Sequence, residues 1–204
     1  MCAMIFVSST AVEIAGSCNA VRRAPDGRLI GDMFDGEGFV RGVQRNDGSL
    51  FGKRLLIVGA GGVGSAIAAS SAAAGVAEMA LYDVHAEAAD ALAERLRHAY
   101  PVLKIATGSN DPTGFDVVVN ATPLGMKAGD PMPLDVSRLA ASTFVGEVVL
   151  KQETTAFLAA ARARGCKTQI GIDMLFEQIP AYLEFFGFPP ATPSELREVA
   201  EIDY

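Results

Sequence analysis

The sequence predicts an α/β fold, a doubly wound and mostly parallel sheet, on three observations. Short runs of branched apolar residues suited to buried strands recur at Leu55–Val58, Asp116–Asn120 and Phe144–Leu150. Stretches of alanine, leucine and charged residues at helical spacing lie between such runs. The first run passes directly into Gly59-x-Gly61-x-x-Gly64, and a small-residue helix follows. Strands alternating with helices in this way require parallel pairing through crossovers.

Taken in order, residues 15–39 carry turn signals such as Pro25-Asp26-Gly27 between short apolar runs, which suggests a hairpin-like segment. After the Leu55–Val58 strand, a helix is expected over Ser65–Ala74 and a second strand over Glu78–Tyr82, ending at Asp83. Ala86–Ala99 has the spacing of an amphipathic helix, and Pro101 ends it. Val102–Ala106 is the third strand and Asp116–Asn120 the fourth, leaving at the loop Ala121–Met126. Phe144–Leu150 follows, then a helix over Thr154–Arg164 that Gly165 stops, then a last strand over Lys167–Ile170. Beyond it, Leu175, Ile179, Tyr182, Leu183 and Phe186 recur at helical spacing, and Pro180 should kink or restart that helix. Thr192-Pro193-Ser194-Glu195 is a capping box with proline at the first helical position. The expected division is a central unit over 50–170, flanked by 1–49 and by C-terminal helices over 171–204 that return to pack on 1–49.

Composition narrows the function classes. The 204 residues carry a net charge of −7, which argues against nucleic acid or an anionic membrane as partner. Cys2, Cys18 and Cys166 are far apart and odd in number, matching neither a disulfide framework nor a metal site, so a cytoplasmic location is expected. His85 and His98 are the only histidines, and no metal is expected. Leu55–Ala77 is uncharged and long enough to cross a bilayer, but it reads as strand, turn and helix. No export signal is expected at the N-terminus. The small N-terminal region should leave apolar surface exposed, which makes a homodimer a candidate assembly.

The glycine loop carries the first chemistry. Backbone at Gly59, Ala60, Gly61, Gly62, Val63 and Gly64 suits a dinucleotide pyrophosphate, with a tight turn, close approach to the phosphates and close helix–strand packing. The helix N-terminus adds free N–H groups and a positive dipole end. Asp83 stands where a carboxylate meets the adenosine ribose, and its charge would repel a 2′-phosphate. NAD is therefore expected over NADP, and His85 supplies no strong phosphate clamp. A helix-capping role for Asp83 is the alternative.

Four further segments occur in a telling order around that loop: Ala15-Gly16-Ser17-Cys18-Asn19-Ala20-Val21, Gly31-Asp32-Met33-Phe34-Asp35-Gly36-Glu37-Gly38-Phe39, Asn120-Ala121-Thr122-Pro123-Leu124-Gly125-Met126, and Gly171-Ile172-Asp173-Met174-Leu175-Phe176-Glu177-Gln178. Together they resemble the shikimate/quinate dehydrogenase family from about Ala15 to Gly187. The resemblance implies a Rossmann-type domain with a smaller, incomplete substrate-binding domain. It also implies hydride transfer between a nicotinamide cofactor and a hydroxylated cyclic carboxylic acid. By the same resemblance, Asp35 is the catalytic position, Asn19, Asp35 and Gln178 contact the small-molecule substrate, and Thr122, Pro123, Leu124, Met126 and Gly171 lie on the nicotinamide side. The residues alone leave other roles open: Asp35-Gly36 as a turn, Asn19 as a loop amide, Gln178 as an exposed helix residue.

The chain also departs from the family pattern. Ahead of Asn19 it shows neither the family's Ser-x-Ser motif nor its lysine stretch, so binding of cofactor is expected to exceed turnover. A non-catalytic dinucleotide-binding protein is the alternative. Ala20, Met33, Phe34 and Leu150 replace more polar family residues and suggest a less polar pocket.

Overall fold

The structure, a computed structural model, describes residues 7–202, so Cys2 lies outside the described residues. The chain runs β1 (Val7–Ser8), α1 (Thr10–Ala15), β2 (Ala20–Arg23), β3 (Leu29–Asp32), α2 (Asp35–Asp47), β4 (Arg54–Val58), α3 (Gly62–Ala73), β5 (Glu78–Tyr82), α4 (Ala86–Ala99), β6 (Lys104–Thr107), β7 (Val117–Asn120), β8 (Phe144–Glu147), α5 (Ala156–Ala163), β9 (Lys167–Gln169), α6 (Gly171–Phe186) and α7 (Pro193–Val199). Six strands form one sheet in the order β6-β5-β4-β7-β8-β9, with every pair parallel. The connection reverses direction between β4 and β7, which opens a crevice at the carboxyl ends of those strands.

Both faces of the sheet are covered, which is why its strands read as unbroken apolar runs. Leu55, Ile57, Val117 and Val119 pack with Val43 of α2, Ile67 of α3 and Leu92 and Leu96 of α4. Leu56, Val58, Val118 and Val145 pack on the other side with Phe157, Leu158 and Ala161 of α5. Burying each of the larger side chains stabilises the fold by about 1.5–3 kcal/mol.

A second sheet of β1-β3-β2 precedes the large one, with β1 parallel and β2 antiparallel to β3. The hairpin expected from Pro25-Asp26-Gly27 joins β2 to β3, and Gly27 takes the positive φ of 87° that the turn needs. Two helices were not apparent from spacing. One is the short α1, capped by the Ser9 hydroxyl. The other is α2, whose glycines at 36, 38 and 42 obscure the helical signal. Those glycines are steric. A Cβ on Gly36 would sit 2.0 Å from the Ala66 carbonyl oxygen of α3, and one on Gly38 would sit 2.4 Å from the Met174 carbonyl oxygen of α6. Gly38→Ala is therefore expected to destabilise the protein by about 1–3 kcal/mol, read as a lowered urea midpoint.

Smaller differences follow from packing. Helix α3 starts at Gly62 rather than Ser65, because the end of the glycine loop is already helical. Pro180 does not interrupt α6, which is continuous from Gly171 to Phe186. Met174, Gln178 and Ala181 are buried, and the packing of that face carries the helix through the proline. The capping box at Thr192 and Glu195 starts α7 as expected. Arg197 then ties α7 to Asp173 at 3.1 Å and Glu177 at 3.3 Å, and Arg45 of α2 reaches the same two carboxylates. Among the described residues no helix is long and apolar enough to cross a membrane.

Candidate dinucleotide cleft and active site

Strand β4 delivers the chain to Gly59 at a φ of 108°, where only glycine is comfortable. A Cβ there would lie 2.7 Å from the Ala121 carbonyl oxygen of the neighbouring crossover. One on Gly64 would lie 2.0 Å from the Gly59 oxygen, so this glycine lets α3 fold back against the strand. Gly61 differs, because a Cβ on it would meet nothing within 4 Å. That open space faces the start of α3, where Gly61 is an N-cap with no side-chain hydrogen bond. Bare N–H groups and room for a ligand atom meet at one point, which fits a dinucleotide diphosphate.

A cleft of about 540 Å³ extends from this loop. Gly59, Gly61, Asp83, His85, Thr122, Pro123 and Leu124 are among its walls, with Val84, Asn110 and Met132 further out. Asp83 follows β5, and its carboxylate accepts from the Ala60 N–H at 2.7 Å and the His85 N–H at 2.9 Å. The carboxylate thus braces the glycine loop. Met126 is exposed and lies beyond these walls. Gly171, at the start of α6, is also outside them, and a Cβ on it would stand 2.2 Å from the Val149 oxygen.

The loop after β7 is organised by the fully buried Asn120. Its amide oxygen accepts from the Thr122 N–H at 3.1 Å and the Thr122 hydroxyl at 2.6 Å, and its amide nitrogen donates to the Leu124 carbonyl at 3.0 Å. The Asp130 carboxylate accepts from the Gly125 N–H at 3.0 Å, and Gln152 donates to the Gly125 carbonyl. The loop shape is therefore dictated by side-chain bonds to main chain rather than by a hydrophobic contact.

A second wall, of residues outside the lining of that cleft, comes from the approach to β2 and the start of α2. Asn19 donates from Nδ2 to Asp35 Oδ1 at 2.7 Å and accepts from the Phe34 N–H at 3.1 Å. Asp35 is the first residue of α2 and not part of a turn. Burial raises its pKa above the ordinary carboxylate value, and the Asn19 amide partly opposes the rise. This wall adjoins the glycine loop, since a Cβ on Gly62 would lie 3.8 Å from the Ser17 hydroxyl.

Gln178 is buried on α6, not exposed, and its amide oxygen has no hydrogen-bond partner among the described residues. It packs against Gly38, one turn along α2 from Asp35. Tyr182, one turn further along α6, is one of the apolar and aromatic residues at helical spacing and is half-buried. Its ring meets Phe34 edge-on at 5.0 Å. Burial, and then the charge of Asp35, push its hydroxyl pKa up to about 12, so it stays a hydrogen-bond donor. The aromatic periodicity hid this neighbour of Asp35. Met33 and Phe34 are mostly buried, and what they leave open borders a shallow groove beside Asp32 and Glu37 rather than the dinucleotide cleft. Met33 is buried with Val12, Ala15 and Ala66, and Phe34 with Ala20 and Ala181. Leu150 is exposed.

A doubly wound parallel sheet with this loop and cleft at its switch point defines a dinucleotide-binding protein of Rossmann type. The chain belongs to the shikimate/quinate dehydrogenase family. It is 36% identical over 189 residues to a shikimate dehydrogenase (NADP(+)) of Rhodospirillum rubrum, covering 89% of this chain and 67% of the relative. It is also 36% identical over 200 residues to a quinate/shikimate dehydrogenase (NAD(+)) of Corynebacterium glutamicum strain R, covering 94% and 69%. The chain thus spans about two thirds of these relatives. Among solved structures, the ligand-free 5-ketofructose reductase of Gluconobacter sp. strain CHM43 superposes with a TM-score of 0.85 at 29% identity, covering 95% of this chain and 71% of that one. No family model matches the sequence, and the assignment rests on such individual relatives.

Proposed function

We propose that this protein is an NAD(P)-dependent oxidoreductase that moves a hydride between a nicotinamide ring and a hydroxylated ring substrate, with quinate and shikimate as leading candidates. The observation that carries the proposal is the placement of the hydrogen-bonded Asn19–Asp35 pair beside the uncapped start of α3. Residues 1–49 and 171–204 then form the substrate side and 50–170 the dinucleotide side.

In this reading, the main-chain N–H groups of Gly61, Gly62, Val63 and Gly64 at the start of α3 hold the diphosphate, while those of Gly59 and Ala60 are taken by the Tyr82 carbonyl and the Asp83 carboxylate and shape the turn. Thr122, Pro123 and Leu124 border the ring end, and Met126 and Gly171, outside the cleft walls, are left out of this role. When bound, the nicotinamide supplies the hydride acceptor or donor. Asp35 accepts the proton of the reacting hydroxyl, and Asn19 keeps the carboxylate turned toward it. Gln178 presents an unpaired amide oxygen to a second hydroxyl, and Tyr182 donates from the same wall. Names among the relatives and neighbours include quinate, shikimate and 5-ketofructose, all carrying a secondary alcohol or ketone beside other oxygens. Formation or consumption of reduced nicotinamide with these three compounds is the direct test. Turnover of at least one is expected, and none with any of them, despite dinucleotide binding, would refute the assignment.

NAD is the favoured cofactor because the Asp83 carboxylate stands at the ribose position. Asp83→Asn removes the charge and keeps one of the two oxygens that accept from the Ala60 and His85 N–H groups, the amide nitrogen replacing the other. Its affinity for NADPH relative to NADH should rise about tenfold, measured by fluorescence titration.

A further inference from the structure

The carboxyl of Glu147 is the least expected buried group in the molecule. It ends β8, is fully buried, and stands in register opposite Asn120 at the end of β7. One oxygen, Oε2, accepts from the Thr155 hydroxyl at 2.8 Å. Thr155 is itself fully buried and caps α5, accepting from the Leu158 N–H. The other oxygen, Oε1, has no hydrogen-bond partner among the described residues. An apolar residue would pack at this strand end without that penalty, so the unpaired acid calls for a reason beyond folding.

Its surroundings suggest one. Asn120 shapes the loop that carries Thr122 and Leu124, so Glu147 lies behind the wall assigned above to the ring end of the dinucleotide. The oxidised nicotinamide ring carries a positive charge and the reduced ring does not, while the diphosphate and adenosine are the same in both. We propose that Glu147 is a specificity-determining residue for the oxidation state of the ring, its carboxylate favouring the oxidised form. The inference rests on the dinucleotide reading of the cleft.

The low polarity of the site lets a charge act beyond hydrogen-bond distance. Charged side chains on the adjoining elements are Arg162 on α5, Lys151 and Glu153 in the β8–α5 connection, and Lys167 at the far end of β9, opposite Phe144. All four are exposed, so solvent weakens their pull, and Arg162, which also donates to Thr168 and Thr154, adds only the smallest of the opposing effects on Glu147. Asp35 lies on the opposite wall. His85 lies at the adenosine end, where it acts on both redox forms alike. Burial, opposed by Thr155, Asn120 and Arg162, pushes the Glu147 pKa up to about 7. Its charge is therefore half formed near neutrality, and a cationic ring would draw it out.

The test is the dissociation constant of NAD+ and of NADH for the purified protein between pH 5.5 and 8.5. NAD+ binding should tighten about tenfold as pH rises through 7, by linkage to a one-unit shift, with NADH binding flat. Glu147→Gln should flatten the NAD+ profile and leave NADH within about twofold, while Glu147→Asp, which keeps the charge, should retain a slope. A slope that survives in the Gln variant, or equal slopes for both dinucleotides, overturns the proposal. Failure of the wild-type protein to bind either dinucleotide overturns the cleft assignment itself, and this inference falls with it.

Discussion

Replacing Asp35 by Asn lowers kcat by about 10²–10⁴-fold and leaves dinucleotide affinity unchanged. The amide preserves shape and the contact with Asn19, at 2.7 Å in the wild-type protein, but cannot take a proton. Since Asp35 starts α2 and the diphosphate wall belongs to α3, the loss should fall on the chemical step and not on NADH binding. The pH profile adds a second readout. Asp35 must be ionised to act, and burial raises its pKa, so kcat/KM should fall as pH drops through that raised value. Asn19→Ala removes the one bond that opposes the rise, so its profile should move to higher pH. An unchanged kcat in the Asn variant would remove Asp35 from the chemistry.

Gly61→Ala and Gly64→Ala should separate binding from folding. At Gly61 an added methyl meets no protein atom within 4 Å, so stability should stay within about 0.5 kcal/mol. The same methyl fills the space over the bare start of α3, and dinucleotide affinity should drop by at least about tenfold, a loss of about 1.4 kcal/mol. At Gly64 the methyl would be driven to 2.0 Å from the Gly59 oxygen. Strand and helix must part there, and a loss of about 3 kcal/mol or more is expected, together with binding. Thermal melts and NADH titration on the two proteins check both halves. Equal behaviour of the two variants would show that the open space is not where a ligand sits.

The large sheet was legible because strands buried on both faces declare themselves as apolar runs. Glu78–Tyr82 and Ala86–Ala99 have the bounds that sequence spacing assigns, with Asp83 and Pro101 as punctuation. Other ends were blurred by a residue or more, as at β8, where Val148–Leu150 stay apolar after the ladder stops at Glu147. Helix α2 was illegible for a physical reason: its glycines serve the backbones of α3 and α6, and local propensity records only their cost. Asn19 and Asp35 were visible through motif order, but not the hydrogen bond joining them. Tyr182 was concealed among the apolar residues that share its helical spacing. Glu147 was missed because an acid at the end of an apolar strand gives no periodic signal, and its meaning comes only from Asn120 and Thr155 across the fold.

Helix α2 begins with Asp35, touches α3 through Gly36 and touches α6 through Gly38. One rigid rod is therefore gauged by main chain against both the helix that follows the glycine loop and the helix bearing Gln178. Where a reacting carbon can rest is then dictated by peptide-to-peptide spacing, which side-chain exchange nearby barely alters. Such a scaffold can trade one polyol for another by swapping its lining while the reach between proton acceptor and redox ring stays constant.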